Sequence, residues 1–154
     1  SSDQHAQISV FLDSDNSTNN EYGVVLRHQT SSALQTTADG YHFTLESVEN
    51  GVDSALLCKI LRCDDGTRTL LDSFGPIRAD FDNNLGTYVV GGSIVGDIAT
   101  LTINGEEMLS YDIGSDGTVY DTGGYVGWYG VRSTSATQSQ PFALNFQAWI
   151  DGFS

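Results

Sequence analysis

The sequence predicts an all-β protein, a β-sandwich of two antiparallel sheets. Three observations carry this. Nine or ten segments of four to nine residues alternate apolar and polar side chains with a period of two. Turn-forming clusters separate them, among them Asp64-Asp65-Gly66 and Asn104-Gly105, the latter the strongest two-residue hairpin signal in the chain. No segment sustains a helical apolar stripe, and Thr30 to Ala38 makes at most one loose turn. The 154 residues suffice for one core, and neither an internal repeat nor a composition break divides them, so residues 1–154 read as a single domain.

The elements follow in order. His5 to Leu12 places Ala6, Ile8, Val10 and Leu12 on one face, and the polar run Asp13 to Asn20 after it is a surface loop. Tyr22 to His28 sets Tyr22, Val24, Leu26 and His28 against Val25 and Arg27. Tyr41 to Ser47 alternates Tyr41, Phe43 and Leu45 with His42, Thr44 and Glu46. Glu49-Asn50-Gly51 turns the chain into Ala55 to Cys63, and Asp64-Asp65-Gly66 leads into Thr67 to Leu71, continuing a meander from the first strand. Tyr88 to Gly92, Asp97 to Ile103 and Met108 to Ile113 come next, the last pair joined through Asn104-Gly105. Tyr125 to Val131 is Gly-rich and aromatic, and Phe142 to Ile150 closes with Phe142, Leu144, Phe146, Ala148 and Ile150 on one face.

Twenty acidic residues against six basic ones leave a formal charge of −14. Such a surface repels nucleic acid and acidic leaflets, which excludes a nucleic-acid role and peripheral membrane binding. No apolar run approaches the length of a membrane span, and Ser1-Ser2-Asp3-Gln4 has no signal-peptide character. Seven Tyr, seven Phe and two Trp supply a core that a disordered acidic tail lacks. Scarce Lys and abundant Asp suit an extracellular or surface-displayed protein. Cys58 and Cys63 lie an odd number of residues apart, on opposite faces of one strand, and bridge only if the chain bends between them.

The order of segments is similar to the concanavalin A-like, laminin G-like jelly-roll superfamily. The residues that carry the resemblance are Asp3-Gln4-His5-Ala6-Gln7, Tyr22 to Gln29, Tyr41 to Leu45, Leu56 to Arg62 with Asp65 to Leu71, Ala99 to Leu109, Gly123 to Tyr129 and Phe146 to Phe153. The resemblance spans residues 3 to 153 and implies a lectin-like sandwich. Relatives of this kind bind glycans, attach to other proteins or space catalytic domains, and fold alone does not choose among these.

Catalysis finds no support in the residues. Members of the superfamily that hydrolyse β-glucans carry Glu-x-Asp-x-x-Glu on one strand, which is missing here. Asp80 and Asp82 alternate without a third partner. Glu106 and Glu107 follow a hairpin turn and read as exposed charge. His5, His28 and His42 are widely spaced, without metal-ligand spacing or a nucleophile elbow.

Cation sites are weighed because calcium takes six to eight oxygen ligands. Asp13-Ser14-Asp15-Asn16-Ser17 is oxygen-rich but lacks the glycine and glutamate of an EF-hand loop. Asp112, Asp116 and Asp121 surround a Gly-rich loop. The resemblance implies that first and last strands are neighbours, making Asp3 and Asp151 candidate ligands of a structural Ca2+.

A sugar site combines aromatic platforms with planar hydrogen-bonding groups. Arg27, His42 and Arg62 fall on the non-core faces of neighbouring segments, as do Thr44 and Glu46. The competing reading makes each arginine a surface charge paired with a carboxylate. Trp128 points opposite to Tyr125 and Tyr129, with Gly124, Gly127 and Gly130 leaving little cover. Trp128 and Tyr129 are therefore candidate contacts, and Tyr111 and Tyr120 candidate rim residues. The sequence thus points to a non-catalytic carbohydrate-binding module of a secreted or surface protein, contacting neutral or weakly basic glycan through Arg27, His42, Arg62, Trp128 and Tyr129. The alternative is a structural or attachment domain of a viral particle or surface appendage, whose partner is a protein surface.

Overall fold

Ten strands form in the predicted order: β1 Asp3–Asp13, β2 Glu21–His28, β3 Gly40–Asn50, β4 Asp53–Asp64, β5 Thr67–Arg78, β6 Leu85–Val95, β7 Ile98–Ile103, β8 Glu106–Asp112, β9 Tyr125–Val131 and β10 Ala143–Asp151. The computed structural model describes residues 3–13, 21–29, 38–50, 53–78, 85–117, 120, 123–131 and 143–151. The Asp80/Asp82 pair, Asp15, Asn16 and Asp121 lie outside these residues, as do the side chains of Asp13, Trp149 and Asp151.

The first sheet has the order β10-β1-β6-β7-β8 and the second β5-β4-β3-β2-β9, each of five strands with antiparallel neighbours. The meander expected from the first strand onward begins only at β2: β1 leaves for the opposite sheet, where β6 and β10 flank it. The two strongest turn signals work as read. Asp65 and Gly66 have φ of 47° and 76°, and Asn104 and Gly105 have 53° and 81°, the two successive positive values that a tight hairpin needs.

The core lies between the sheets. Ala6, Ile8 and Val10 of β1 and Val90, Ile94, Leu101 and Leu109 of β6 to β8 meet Tyr22, Val24, Leu26, Tyr41, Phe43, Leu45, Leu56, Cys58 and Ile60 of the second sheet. At Gly92 the sheets approach so closely that a Cβ would stand 2.5 Å from the Phe43 ring. Cys58 belongs to this core and Cys63 does not; both thiols are buried and free, and burial raises the pKa of Cys58 to about 11.

Alternation predicts one buried face per strand, but β2 is buried at every position from Glu21 to His28. Its inner face meets the core, whereas its outer face, with those of β3 and β4, lies under a second layer of side chains. That layer holds the candidate site.

Candidate functional site

The outer face of the second sheet can be read in rows from the strand register. One row runs Gly127, Val25, His42, Leu61 and Leu70 from β9 to β5, and the next runs Tyr129, Gly23, Thr44, Lys59 and Ser73. Beyond it stand Val131, Glu21, Glu46 and Leu57. Val25, His42 and Thr44 have no exposed surface, and Leu61 is also buried.

Charged side chains bridge these rows. Lys59 of β4 reaches across β3 to Glu21 Oε2 of β2 at 3.4 Å, and it meets Glu46 Oε2 at 2.5 Å. Arg68 of β5 donates through Nη2 to Glu21 Oε1 at 2.5 Å and to the Tyr129 hydroxyl at 3.1 Å. Tyr129 donates in turn to Glu21 Oε1 at 2.5 Å. Its ring tilts against His42, with centroids 5.3 Å apart, and its oxygen lies 3.3 Å from His42 Nδ1. His42 Nε2 donates to the Ala38 carbonyl at 2.6 Å.

Arg68 and Glu21 occupy diagonal corners of this face. Glu21 is level with Glu46, whereas Arg68 is level with Cys63 and Gly40, six positions away along β3 and three strands across from β2. On a flat sheet that diagonal would measure roughly 24 Å, far beyond two side chains. Sheet twist therefore brings these corners toward each other, and the face is a trough spanned by Arg68 rather than a plane.

The electrostatics follow from this enclosure. Burial alone would raise the Glu21 pKa, but hydrogen bonds from Arg68 and Tyr129 and the charges of Arg68 and Lys59 outweigh it and hold the carboxylate below its ordinary value. Burial opposes the charge on Arg68, and Glu21 more than compensates, raising its pKa. Burial lowers His42 to about 4, against the hydrogen bond to Ala38. Burial and the neighbouring Glu21 charge raise Tyr129, so its hydroxyl stays a donor. Two carboxylates and two cations balance, and Glu21 is the reverse of the raised-pKa group that acts as a general acid. The Oγ1 of Thr44 and the Nε of Arg68 have no hydrogen-bond partner among the described residues.

Solved structures show where such a sandwich belongs. A carbohydrate-binding module, CBM66 from Bacillus subtilis, matches with a TM-score of 0.54 at 13% identity, covering 84% of this chain and 66% of that one. The chain thus spans just under two thirds of that module's length. Sheep galectin-11, in complex with glycerol, matches with a TM-score of 0.54 at 8% identity, covering 96% of this chain and 90% of that one. The fold is a concanavalin A-like jelly roll. At these identities the likeness is one of fold. No protein-family model matches the chain, and no curated protein matches it in sequence.

This jelly roll does not gather the five sequence-predicted contact residues on one surface. His42 and Tyr129 do meet, but both are buried, in the trough rather than exposed on it. Arg27 is a correction: it has no exposed surface, and it ties the sheets together from within. A φ of 51° and a register shift between Val25 and His28 turn it out of the alternation. Its guanidinium donates to the Gly96 carbonyl of the β6–β7 turn and to the Tyr120 carbonyl, both at 3.0 Å. Its amide donates to Gln4 Oε1 at 2.7 Å, and Gln4 Nε2 donates to the Gly123 and Gly124 carbonyls at 3.1 Å. Arg62 pairs with Asp116 of the short 3-10 turn Ile113–Asp116, as the alternative reading of a charge paired with a carboxylate has it. Trp128 is 42% exposed but lies opposite Val24, on the inter-sheet side of edge strand β9, away from the Tyr129 face. Tyr120 is buried rather than at the rim, its hydroxyl donating to Asp64 at 3.1 Å.

The residues missed are Gln4, Glu21, Lys59 and Arg68. A signal for three of them exists in the alternation: Gln4 shares parity with Ala6, Ile8 and Val10, Lys59 stands between Leu57 and Leu61, and Arg68 precedes Leu70 by two. A polar residue at a parity position otherwise apolar marks a buried, partnered group.

The strand neighbourhood on which the cation expectation rests is present. Asp3 does stand opposite Asp151 in the β1–β10 register. Asp3 Oδ1 accepts from the Gly96 amide at 2.9 Å, and no group of three His, Cys, Asp or Glu side chains fit to hold a metal occurs among the described residues.

Proposed function

We propose that this chain is a non-catalytic carbohydrate-binding module and that a neutral glycan lies along the trough of the second sheet. The observation that carries the reading is the Glu21, Arg68, Lys59, Glu46 and Tyr129 network: planar, pre-oriented donors and acceptors that match sugar hydroxyls. The fold it shares with a carbohydrate-binding module and a galectin supports the same partner class. Because the network is already charge-balanced, an anionic sugar would add a further negative charge to a chain at −14. Scarce lysine and acidic turns support an extracellular or surface-displayed location.

A glycan array probed with the wild type and with Arg68→Met tests the reading. The wild type is expected to retain neutral oligosaccharides and Arg68→Met to lose them while its circular dichroism stays that of a β-sandwich. Failure of the folded wild type to retain any glycan would overturn it.

Exposed apolar side chains on both edges of the same sheet favour a second reading as an attachment domain: Leu70 and Phe74 on β5, and Tyr125, Trp128 and Val131 on β9. Light scattering coupled to size exclusion separates the two, since an attachment role through these edges yields concentration-dependent assembly without sugar.

A further inference from the structure

The second sheet ends in two unlike edges, β5 on one side and β9 on the other. An open strand edge offers unpaired backbone donors and acceptors, and natural edges are guarded by charge, proline or bulges. β5 carries all three guards: Arg68, Asp72 and Arg78, then Pro76, and two register shifts against β4. β9, Tyr-Val-Gly-Trp-Tyr-Gly-Val, carries neither charge nor proline. The register shift beside it inserts its extra residue into β2 and leaves β9 regular. Among the described residues, no strand pairs with β9 on the side away from β2.

The exposed apolar side chains of β9 are Tyr125 at 56%, Trp128 at 42% and Val131 at 38%, the two ends and the middle of the strand. That spacing is symmetric about Trp128. Two antiparallel copies of β9 with Trp128 opposite Trp128 set Tyr125 of each copy against Val131 of the other. Directly opposed residues point to the same face, so every exposed apolar side chain of the strand meets another. The edge also suits a second copy electrostatically. The chain carries a formal charge of −14, yet β9 has no charge, and the one carboxylate on β2, Glu21, is already paired with Arg68 and Lys59.

We propose that two copies of this chain dimerise through β9, paired antiparallel about Trp128, so that their five-stranded sheets join into one. The two-fold axis of such a pair stands perpendicular to the sheet, so both outer faces look the same way. In the order β3-β2-β9-β9-β2-β3 the two β3 strands lie roughly 24 Å apart on a flat sheet. The inference goes beyond both readings above, since it needs no glycan and leaves β5 free.

Sedimentation equilibrium of the full chain at about 0.15 M salt, where acids beyond about 8 Å are screened, tests it. The mass is expected to rise with concentration from one chain to two and to stop there. Trp128→Asp places two like charges opposite each other and is expected to weaken the dimer at least about thirtyfold. Trp128→Lys is expected to do the same alone, whereas an equal mixture of the two variants regains the dimer, because residue 128 faces itself. Phe74→Asp on β5 is expected to leave the dimer unchanged. Circular dichroism verifies that each variant is folded, and Tyr125→Asp, at the most exposed of the three positions, gives the same readout if the Trp128 variants do not fold. A mass of one chain at every concentration into the millimolar range overturns the inference. So does growth beyond two, the open-ended assembly that β5 joined to β9 would give. A dimer that Trp128→Asp leaves intact, that Phe74→Asp abolishes, or that the mixed variants fail to restore overturns it as well. None of these outcomes touches the carbohydrate reading, which the glycan array decides.

Discussion

Replacing Arg27 by Met separates the two roles that sequence and structure assign to this residue. The substitution keeps the length and apolar stem of the side chain and removes two guanidinium hydrogen bonds, to Tyr120 and Gly96. The amide bond to Gln4 is a backbone contact and survives. A hydrogen bond from a charged donor is worth about 1.5–3 kcal/mol, so the two together set a range of about 3–6 kcal/mol. Removing a buried charge returns part of its desolvation cost, which brings the expected loss to about 3–5 kcal/mol. For a chain of this length that corresponds to a fall in Tm of about 10 °C. The assay is urea unfolding followed by tryptophan fluorescence, with the midpoint lowered and the slope unchanged. Under conditions where the variant is folded, its affinity for sugar is expected to match the wild type, because Arg27 lies between the sheets. A stability change below about 0.5 kcal/mol, the size expected of an exposed side chain, would refute this account. So would a loss of sugar binding at unchanged stability, which would return Arg27 to the surface.

Three further outcomes follow from the same structure. His42 has a pKa of 6.5 when unfolded and about 4 when folded, so between these values the unfolded chain holds more protons and stability falls as pH drops. A loss of about 2–3 kcal/mol is expected in urea unfolding between pH 7 and pH 4.5, largely absent in His42→Gln, and an equal slope in both proteins would contradict it. Cys58 and Cys63 are buried and free, so an alkylating reagent should leave the native protein unmodified and add two groups after denaturation without reductant; a mass shift of zero in both states would reveal a disulfide. Melting in calcium and in chelator tests a structural Ca2+ at the neighbouring strand ends that carry Asp3 and Asp151: a rise of several degrees in calcium is expected, and equal melting in both would refute it.

The strand map was legible because alternation and turn chemistry are local. Asn104-Gly105 and Asp65-Gly66 specify hairpins through their own backbone preferences, whatever the rest of the chain does. The site was not legible in the same way. Alternation assigns one face of each strand to solvent, which holds for an antiparallel sheet wet on one side. It fails for β2, which is flanked by strands on both sides and covered on both faces. His42 and Tyr129 were placed in one candidate site, but as exposed contacts; the buried pair they form joins residues 87 positions apart. The pairing of Glu21 with Arg68 depends on sheet twist bringing two corners together, which no period encodes. Arg27 escaped because a single left-handed residue and a bulge reversed its direction.

The charge imbalance also takes a different meaning once the cations are placed. The four whose side chains are described, Arg27, Lys59, Arg62 and Arg68, all act as cross-ties between strands or sheets. Arg27 joins the second sheet to the β6–β7 turn of the first, and Arg62 joins β4 to the turn after β8. Lys59 and Arg68 tie the outer face together across three strands or more. Of the four, Arg62 alone pairs with an acid on a turn, the half-buried Asp116, so the surface stays anionic while the positive charge is structural. Adding lysines on the exposed turns would lower the net charge without touching these ties, whereas removing any of the four cations breaks one. An anionic ligand approaching the trough meets cations already committed to Glu21 and Glu46, and must displace a carboxylate to gain one. A neutral ligand need displace nothing charged, since it accepts from and donates to the network as it stands. The scarcity of cations and the preference for a neutral ligand are thus one physical fact seen from two sides.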